Sequence, residues 1–251
     1  MKNTVKTFLF AAALLLSARL FASDGENARP QNWLPFRIAL YDCYTDETEW
    51  DENVSSVYGL RLGLFASVNK EVGGISLSLF LDGASDANGF EGENYIDGNF
   101  FGIKIGGIAA ISGSSVYGLQ LAGLLNSTAA ETRGFQIAAG CNESEFMKGF
   151  QIAGLCCSAA AKLKGVQIAG IVAECGTAPE ASESSGLQIS ALSSRCEGAF
   201  SGVQISAFNW CEELSGVQIG LVNYANTLRG LQIGLFNNSS DSFAPLVHFG
   251  F

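Results

Sequence analysis

Histidine, proline and basic side chains are scarce in this chain. Its 251 residues include 1 histidine, 4 prolines and 14 lysines and arginines, against 24 aspartates and glutamates, for a net charge of -10. The lone His248 leaves no other histidine base for a Ser/His/Asp or Cys/His arrangement. The negative charge disfavours contact with nucleic-acid phosphates. We therefore predict no catalytic residue and no nucleic-acid partner, and we interpret His248 as an interfacial or lumen residue.

Motifs for metal ions and phosphate groups are also lacking. The 7 cysteines form no C-x-x-C pair, which argues against a zinc or thioredoxin-like site. The acidic residues between 42 and 52 lack the D-x-D-x-D-G order of a calcium loop, so we predict a solvated loop there. We predict no metal site, no cofactor and no enzymatic activity. The cysteines are expected to be buried as small apolar residues.

The first 22 residues have the pattern of a secretory signal peptide. Lys2 and Lys6 precede an apolar run at 8–16, and small residues follow near Ala22. That run is too short to span a membrane as a helix. We predict that residues 1–22 are a signal peptide, that the protein is exported to the outer membrane or cell surface, and that residues 23–251 form a single repeat-built domain.

What the chain has in quantity is glycine, and glycine marks a repeat. Eight units begin at glycines separated by 14 to 21 residues, and each carries a glutamine two places later, followed by isoleucine or leucine. Weaker units upstream place Arg61, Ser76 and Lys104 at the position of the glutamine. The eight glutamines are Gln120, Gln136, Gln151, Gln167, Gln188, Gln204, Gln218 and Gln232.

Within each unit the apolar residues alternate with small or polar ones. Val217, Ile219 and Leu221 point to one side, and Gly216 and Gln218 point to the other. A period of two with β-branched residues predicts a β-strand, and the polar pieces between units are predicted to be turns. The chain is therefore predicted to be all-β.

One architecture that fits is a closed antiparallel β-barrel of about 12 or 14 strands, with one strand for each repeat of 14–16 residues. Transmembrane strands present aliphatics to lipid and polar residues to a lumen in this way. The alternating end of the chain, with Phe249 and the terminal Phe251, resembles the signal that outer-membrane barrels present to their assembly machinery. Outer-membrane lipid and that machinery are the partners this architecture predicts.

The alternative is a parallel β-solenoid, in which equivalent residues of successive coils lie on one another. Stacked glutamines would then form a ladder, and Asn209, Asn223 and Asn237 would form another at the turns. In the solenoid Cys196 and Cys211 lie within disulfide reach, whereas in the barrel they lie at opposite rims. Arg61, Lys104 and the eight glutamines line a lumen in the first architecture and a ladder in the second.

Three segments together resemble a known family. "SVYGLRLGLF" at 56–65, serial units such as "GVQIGLVN" at 216–223, and the closing "PLVHFGF" at 245–251 are similar to the spirochaete-type surface-exposed repeat family. The resemblance covers nearly all of the chain from Trp33 and implies a surface or outer-membrane location. It implies no chemistry, because the family has no established activity.

These observations predict a non-enzymatic outer-membrane or surface-exposed β-repeat protein with a structural, pore or surface role. The alternative, tied to the solenoid, is an exported interaction module that binds a partner outside the cell along a flat face.

Overall fold

The computed structural model describes residues 33–39, 56–63, 66–69, 72–84, 99–178, 182–240 and 242–250. Every regular element in these ranges is a β-strand, so the all-β prediction is confirmed. The predicted signal peptide, the predicted acidic loop at 42–52 and the terminal Phe251 lie outside the described residues.

Seventeen strands form one sheet. They are β1 (Trp33–Ala39), β2 (Ser56–Gly63), β3 (Ala66–Asn69), β4 (Val72–Ser78), β5 (Leu81–Ala84), β6 (Phe100–Gly106), β7 (Ala109–Ser112), β8 (Val116–Ala122), β9 (Leu125–Ala138), β10 (Cys141–Ala153), β11 (Cys156–Ala169), β12 (Val172–Cys175), β13 (Ser184–Ser190), β14 (Ser193–Ile205), β15 (Phe208–Ile219), β16 (Val222–Ser239) and β17 (Phe243–Gly250).

Successive repeats pair in parallel, and equivalent residues face each other. Between β10 and β11, Gly149 pairs with Gly165, Gln151 with Gln167, and Ile152 with Ile168. The same register runs through β2, β4, β6, β8, β13 and the second halves of β9, β10, β11, β14, β15 and β16. We call these eleven segments the glutamine wall.

The pieces between the glutamine segments are also strands, so the prediction that they are turns is wrong. The first halves of β9, β10, β11, β14, β15 and β16 stack in parallel with β3, β5, β7 and β12, and we call this set the opposite wall. A register shift between Ser144 and Phe146 separates the two halves of β10. Each repeat thus supplies two stacked segments and returns to the same wall one coil later.

The molecule is therefore a parallel β-solenoid, the alternative of the two predicted architectures. The closed antiparallel barrel is not observed, because consecutive repeats run in the same direction. The physical reason is the second segment of each repeat: a chain that crosses to the opposite wall and back begins every glutamine segment from the same side.

Side chains from the two walls fill the space between them. On the glutamine wall the glutamine points inward, and so does the residue that stands two places before the repeat glycine. On the opposite wall every second residue points inward. Met147, Leu163, Phe200 and Leu214 pack in one apolar cluster with Cys175, Cys196 and Cys211. The described interior is thus a packed core and holds no lumen.

The glycine that opens each repeat is required by its backbone. Gly165 has a φ of 146°, and a Cβ there would lie 2.0 Å from the carbonyl oxygen of Gly149 in the coil before it. Only a residue without a side chain fits a positive φ and so close a backbone approach. The stacking itself explains why glycine returns in each unit.

Both end strands carry a proline where their pairing is irregular. Pro35 in β1 stands opposite Tyr58 and Gly59, and Pro245 in β17 stands opposite Leu235 and Phe236. A proline has no N–H to donate, and an irregular edge disfavours the addition of a further strand. β17 also runs antiparallel to β16, which ends the parallel stack.

We expect Gly165→Ala to lower the free energy of unfolding by at least about 3 kcal/mol, because the new methyl meets a carbonyl and the backbone has a positive φ. Gly198→Ala is the matched control: Gly198 has a φ of 110° but no atom within 4 Å of the added Cβ. The free energy of unfolding of Gly198→Ala should fall by only about 1–2 kcal/mol. Urea unfolding measures both, and equal losses would contradict the close stacking of the glycines.

Candidate functional site

A continuous ladder of glutamine side chains runs through the core. All eight glutamines are fully buried. From Gln136 onward, each Nε2 donates a hydrogen bond of 2.8 to 3.0 Å to the Oε1 of the glutamine one coil earlier. The predicted lining residues therefore lie together in one row, where they bond to one another.

The ladder also ties the two walls together. The second hydrogen of the Gln151 amide is donated to the carbonyl of Ser158 on the opposite wall at 3.1 Å, and Gln167 reaches the carbonyl of Glu174 at 3.0 Å. Because burying an amide without partners costs a few kcal/mol, these bonds allow a polar residue to occupy the core.

A second ladder of asparagines runs on the opposite wall. Asn209 donates to Asn223 and Asn223 to Asn237, both at 2.7 Å, and Asn126 donates to Asn142 at 2.8 Å. The sequence pointed to the first three asparagines, whereas Asn126 and Asn142 were missed because they follow their glycines by eight places instead of seven. Asparagines donate to the following coil and glutamines to the preceding one, so the amide dipoles of the two ladders oppose each other.

The glutamine ladder begins at Lys104, which is fully buried. Its ammonium donates to Ser112 Oγ at 2.7 Å and to the carbonyl of Ile111, and it lies 5.6 Å from the Phe100 ring centre. Because lysine offers no acceptor, the Gln120 amide donates to the carbonyl of Ala110 at 2.7 Å instead. Burial, and then the nearby charge of Arg61, lower the pKa of Lys104 well below its ordinary value.

Arg61 lies two coils before Lys104 in the same row, with Ser76 between them. Its side chain is fully buried, and Nε donates to Ser76 Oγ at 2.7 Å. The two cations that replace glutamine in the sequence therefore sit inside the wall, away from solvent.

His248 ends the ladder at the other side. Its Nδ1 lies 2.9 Å from Gln232 Oε1, and its Nε2 lies 2.7 Å from Ser242 Oγ. Gln232 uses its amide hydrogens on Gln218 and Asn238, so its oxygen requires a donor, which assigns the proton to Nδ1 of His248. The only histidine is thus the cap of the ladder, and not the interfacial or lumen residue we predicted.

The described cysteines fall into two groups. Cys141 and Cys156, on the outer side of the opposite wall, form a disulfide. Cys157, Cys175, Cys196 and Cys211 are buried thiols. Cys196 and Cys211 pair in register, as the solenoid predicts, and are not bonded to each other.

The buried thiols are poor nucleophiles. Burial raises the pKa of Cys157 to about 12. The pKa of Cys196 and of Cys211 is also raised, by a hydrogen bond to the neighbouring sulfur (Cys175 and Cys196, respectively) and by burial. Reactive cysteines need a lowered pKa and access to solvent, so these thiols serve packing.

The outer side of the glutamine wall is apolar along its whole length. The residues one and three places after each repeat glycine point outward there, and nearly all are isoleucine, leucine, valine or phenylalanine. Ile152 is 39% exposed, Ile168 39% and Phe150 42%. We call these two rows the apolar face.

The apolar face extends onto both end strands. Phe36 and Ile38 of β1 pair with Leu60 and Leu62 and are exposed. On β17, Phe249 pairs with Leu231, Val247 pairs with Ile233, and both are exposed. Phe249, predicted as part of a barrel assembly signal, lies here in the apolar face.

One long border of the face is basic and aromatic. The residue just before the repeat glycine is Tyr117, Arg133, Lys148 and Lys164 in four successive coils. Arg133 and Lys148 share Glu131, at 2.9 and 2.5 Å, and the Arg133 guanidinium lies over the Tyr117 ring at 5.5 Å. We call this row, which also contains Arg229, the basic border.

The outer side of the opposite wall differs in character. Its row of Ser127, Glu143, Ser158, Glu174 and Arg195 is polar, and it continues into a stack in which Arg195 lies 5.1 Å from the Trp210 ring centre and Trp210 lies 6.3 Å from Tyr224. The two outer surfaces thus divide the molecule into an apolar side and a mixed, polar side.

Comparison of the chain with protein-family models, with curated proteins and with solved structures found no match in any of the three. Among the described residues, no helix has the length and apolar content of a membrane span. Those residues also contain no group of three or more histidine, cysteine or acidic side chains placed to hold a metal ion.

We expect Lys104→Gln to raise the free energy of unfolding by roughly 1–3 kcal/mol, because it removes a buried charge and adds an acceptor for Gln120. The pKa of Lys104 is lower in the folded than in the unfolded chain. At pH values between these two pKa values, the unfolded chain therefore binds more protons than the folded chain. Wild-type stability therefore rises with pH in that window. The difference in unfolding free energy between Lys104→Gln and wild type should be largest at pH values below the lowered pKa of Lys104, and it should shrink toward pH 10.5.

Urea unfolding across that pH range measures this difference. Lys164→Gln, at an exposed lysine one place before a repeat glycine, is the control and should change stability little. A Lys104→Gln variant less stable than wild type at neutral pH would contradict the assignment of Lys104 as an uncompensated cation in the ladder.

Proposed function

We propose that this chain is an exported, non-enzymatic β-solenoid that serves as an interaction module at the outer membrane or cell surface. The observation that carries the proposal is the apolar face. It is the surface through which the module docks, while the mixed polar and apolar outer side of the opposite wall remains in solvent.

The size of the apolar face supports docking. Eleven strands at about 4.8 Å give a length of about 50 Å, and two rows with their side chains give a width of about 15 Å, or roughly 700 Å². The largest apolar patch on a typical monomer covers about 300–600 Å², and one side of a stable interface about 800 Å². An apolar surface of this extent is typical of a protein that binds through it.

The interior supports the same choice over a pore or an enzyme. Glutamine, asparagine and cysteine side chains fill the space between the walls, so the described core offers no passage for a solute. The polar side chains that could take part in chemistry are buried: Lys104 donates to Ser112, and His248 is bonded to Gln232 at the end of the ladder. An interaction role needs only the outer surface.

Export and family membership belong to the same proposal. The pattern of residues 1–22 supports secretion, and the serial repeat supports membership of the spirochaete-type surface-exposed family. A solenoid built from identical coils is also the architecture on which repeat proteins present long binding surfaces.

The test is the fate of the full-length protein expressed in a Gram-negative host. We expect cleavage after Ala22 and recovery of the mature chain with the cell envelope. The triple variant Ile137→Thr, Ile152→Thr, Ile168→Thr keeps β-branched residues but removes apolar surface from the face. It should be exported and then released into the soluble fraction.

The control is a triple variant on the outer side of the opposite wall, Leu125→Thr, Val172→Thr, Val222→Thr. It removes similar apolar groups and should remain with the envelope. Equal retention of the two variants would contradict docking through the apolar face, and an uncut protein in the cytoplasm would contradict export.

A further inference from the structure

We infer that the apolar face docks flat on the surface of a lipid bilayer, with the basic border at the level of the phosphate groups. This inference rests on the proposed function and names the partner of the same surface.

The residue composition of the apolar face favours lipid over a folded protein as its partner. Protein interfaces are anchored by aromatic or arginine side chains that enter pockets. Here isoleucine or leucine stands three places after every repeat glycine, and the aromatic residues of the other row, Phe135 and Phe150, stack on each other with ring centres 5.0 Å apart. Acyl chains make no directional contacts, so they match a uniform apolar surface.

A second exposed row deepens the contact along one edge. A leucine or isoleucine follows six of the eight glutamine segments, and most of these side chains are more exposed than the isoleucines of the face. They are Leu124 at 60%, Leu155 at 49%, Ile171 at 43%, Leu192 at 49%, Leu221 at 53% and Leu235 at 54%. Side chains this exposed at an edge of the wall are placed to enter the acyl region first.

The opposite edge has the side chains that occupy membrane–water interfaces. Tyr117 and Phe101 stack at 4.9 Å in the row that continues as Arg133, Lys148 and Lys164. Tyrosine favours the headgroup level, and lysine and arginine extend their charges to phosphates while their stems cover apolar surface. From Tyr58 to Ile233, the two rows of the face and the row just before the repeat glycines carry no carboxylate among the described residues, and Glu131 and Glu213 lie one row further out.

The distribution of charge agrees with this orientation although the whole chain is acidic. Glu143 and Glu174 point outward from the opposite wall, on the side away from the bilayer. Glu131, beside the basic border, is paired with Arg133 and Lys148. Glu143 and Glu174 therefore face solvent, and Glu131 faces a basic partner, when the apolar face lies on the membrane.

The ends of the solenoid favour a flat contact over end-to-end growth. Pro35 and Pro245 interrupt the outermost strands, while the apolar residues of those strands continue the face. Protected edge strands favour contact through a long side of the described solenoid, of which the apolar face is one.

The experiment uses the purified mature chain, residues 23–251, and vesicles of mixed phosphatidylcholine and phosphatidylglycerol. We expect wild-type protein to co-sediment with vesicles. The Ile137→Thr, Ile152→Thr, Ile168→Thr variant should bind about tenfold or more weakly, given the apolar area it removes from contact with acyl chains. The Leu125→Thr, Val172→Thr, Val222→Thr control should bind as wild type does. Circular dichroism melts establish that each variant is folded.

A second measurement does not depend on a loss of binding. Ile152→Trp and Val172→Trp place a reporter on the apolar face and on the opposite wall. Brominated lipid should quench the fluorescence added by the first substitution and leave that added by the second unchanged.

Three outcomes would overturn the inference: no binding of wild type to vesicles, equal binding of the two triple variants, or equal quenching of the two reporters. A wild-type dimer in the absence of lipid that the face variant converts to a monomer would assign the apolar face to a second copy instead. If vesicle binding fails while the cell-envelope result holds, the interaction module stands and lipid is not its partner.

Discussion

The structure depends on one interaction: the hydrogen bond between glutamine side chains of successive coils. A glutamine amide has a donor and an acceptor at its end, so it can bond on both sides along a stack. A core this narrow has little apolar volume, and the ladder fills it with groups that satisfy one another. The bond forms only when equivalent residues lie in register, so it selects parallel stacking over any slipped arrangement.

The ladder has a direct consequence for the surface. Since polar side chains occupy the interior of the glutamine wall, the alternation of the strand sends the aliphatic residues outward. His248 closes one end of the ladder with a donor for the oxygen of Gln232, whereas Lys104 at the other end offers no acceptor to Gln120. The apolar face is thus a product of the same repeat that builds the core, and the docking we propose would use the side of each strand that the fold leaves uncovered.

The sequence predicted the strands of the glutamine wall, the inward glutamines and the outward aliphatics, because a period of two assigns side chains to two faces. It did not decide between barrel and solenoid, since both place polar residues inside. The second wall was missed because its segments are short and rich in Asn, Ser, Cys and Glu. The available signal was small residues at alternate positions, such as Asn142 and Ser144 or Ala173 and Cys175, in every repeat. The end contacts of Lys104 and His248 depend on how the chain crosses between the walls, which brings Lys104 to Ser112 and His248 to Gln232.

Hydrogen exchange of the glutamine side-chain amides, followed by NMR in deuterated water, tests the ladder most directly. The eight buried amides, six of which donate at least two hydrogen bonds, should exchange only with global unfolding, as the most protected backbone amides do. A Gln167→Ala substitution interrupts the row, so the side-chain amides of the glutamines one coil before and one coil after it should be less protected from exchange. Glutamine side-chain amides that exchange within the dead time, as free amides do, would contradict a core built on this ladder.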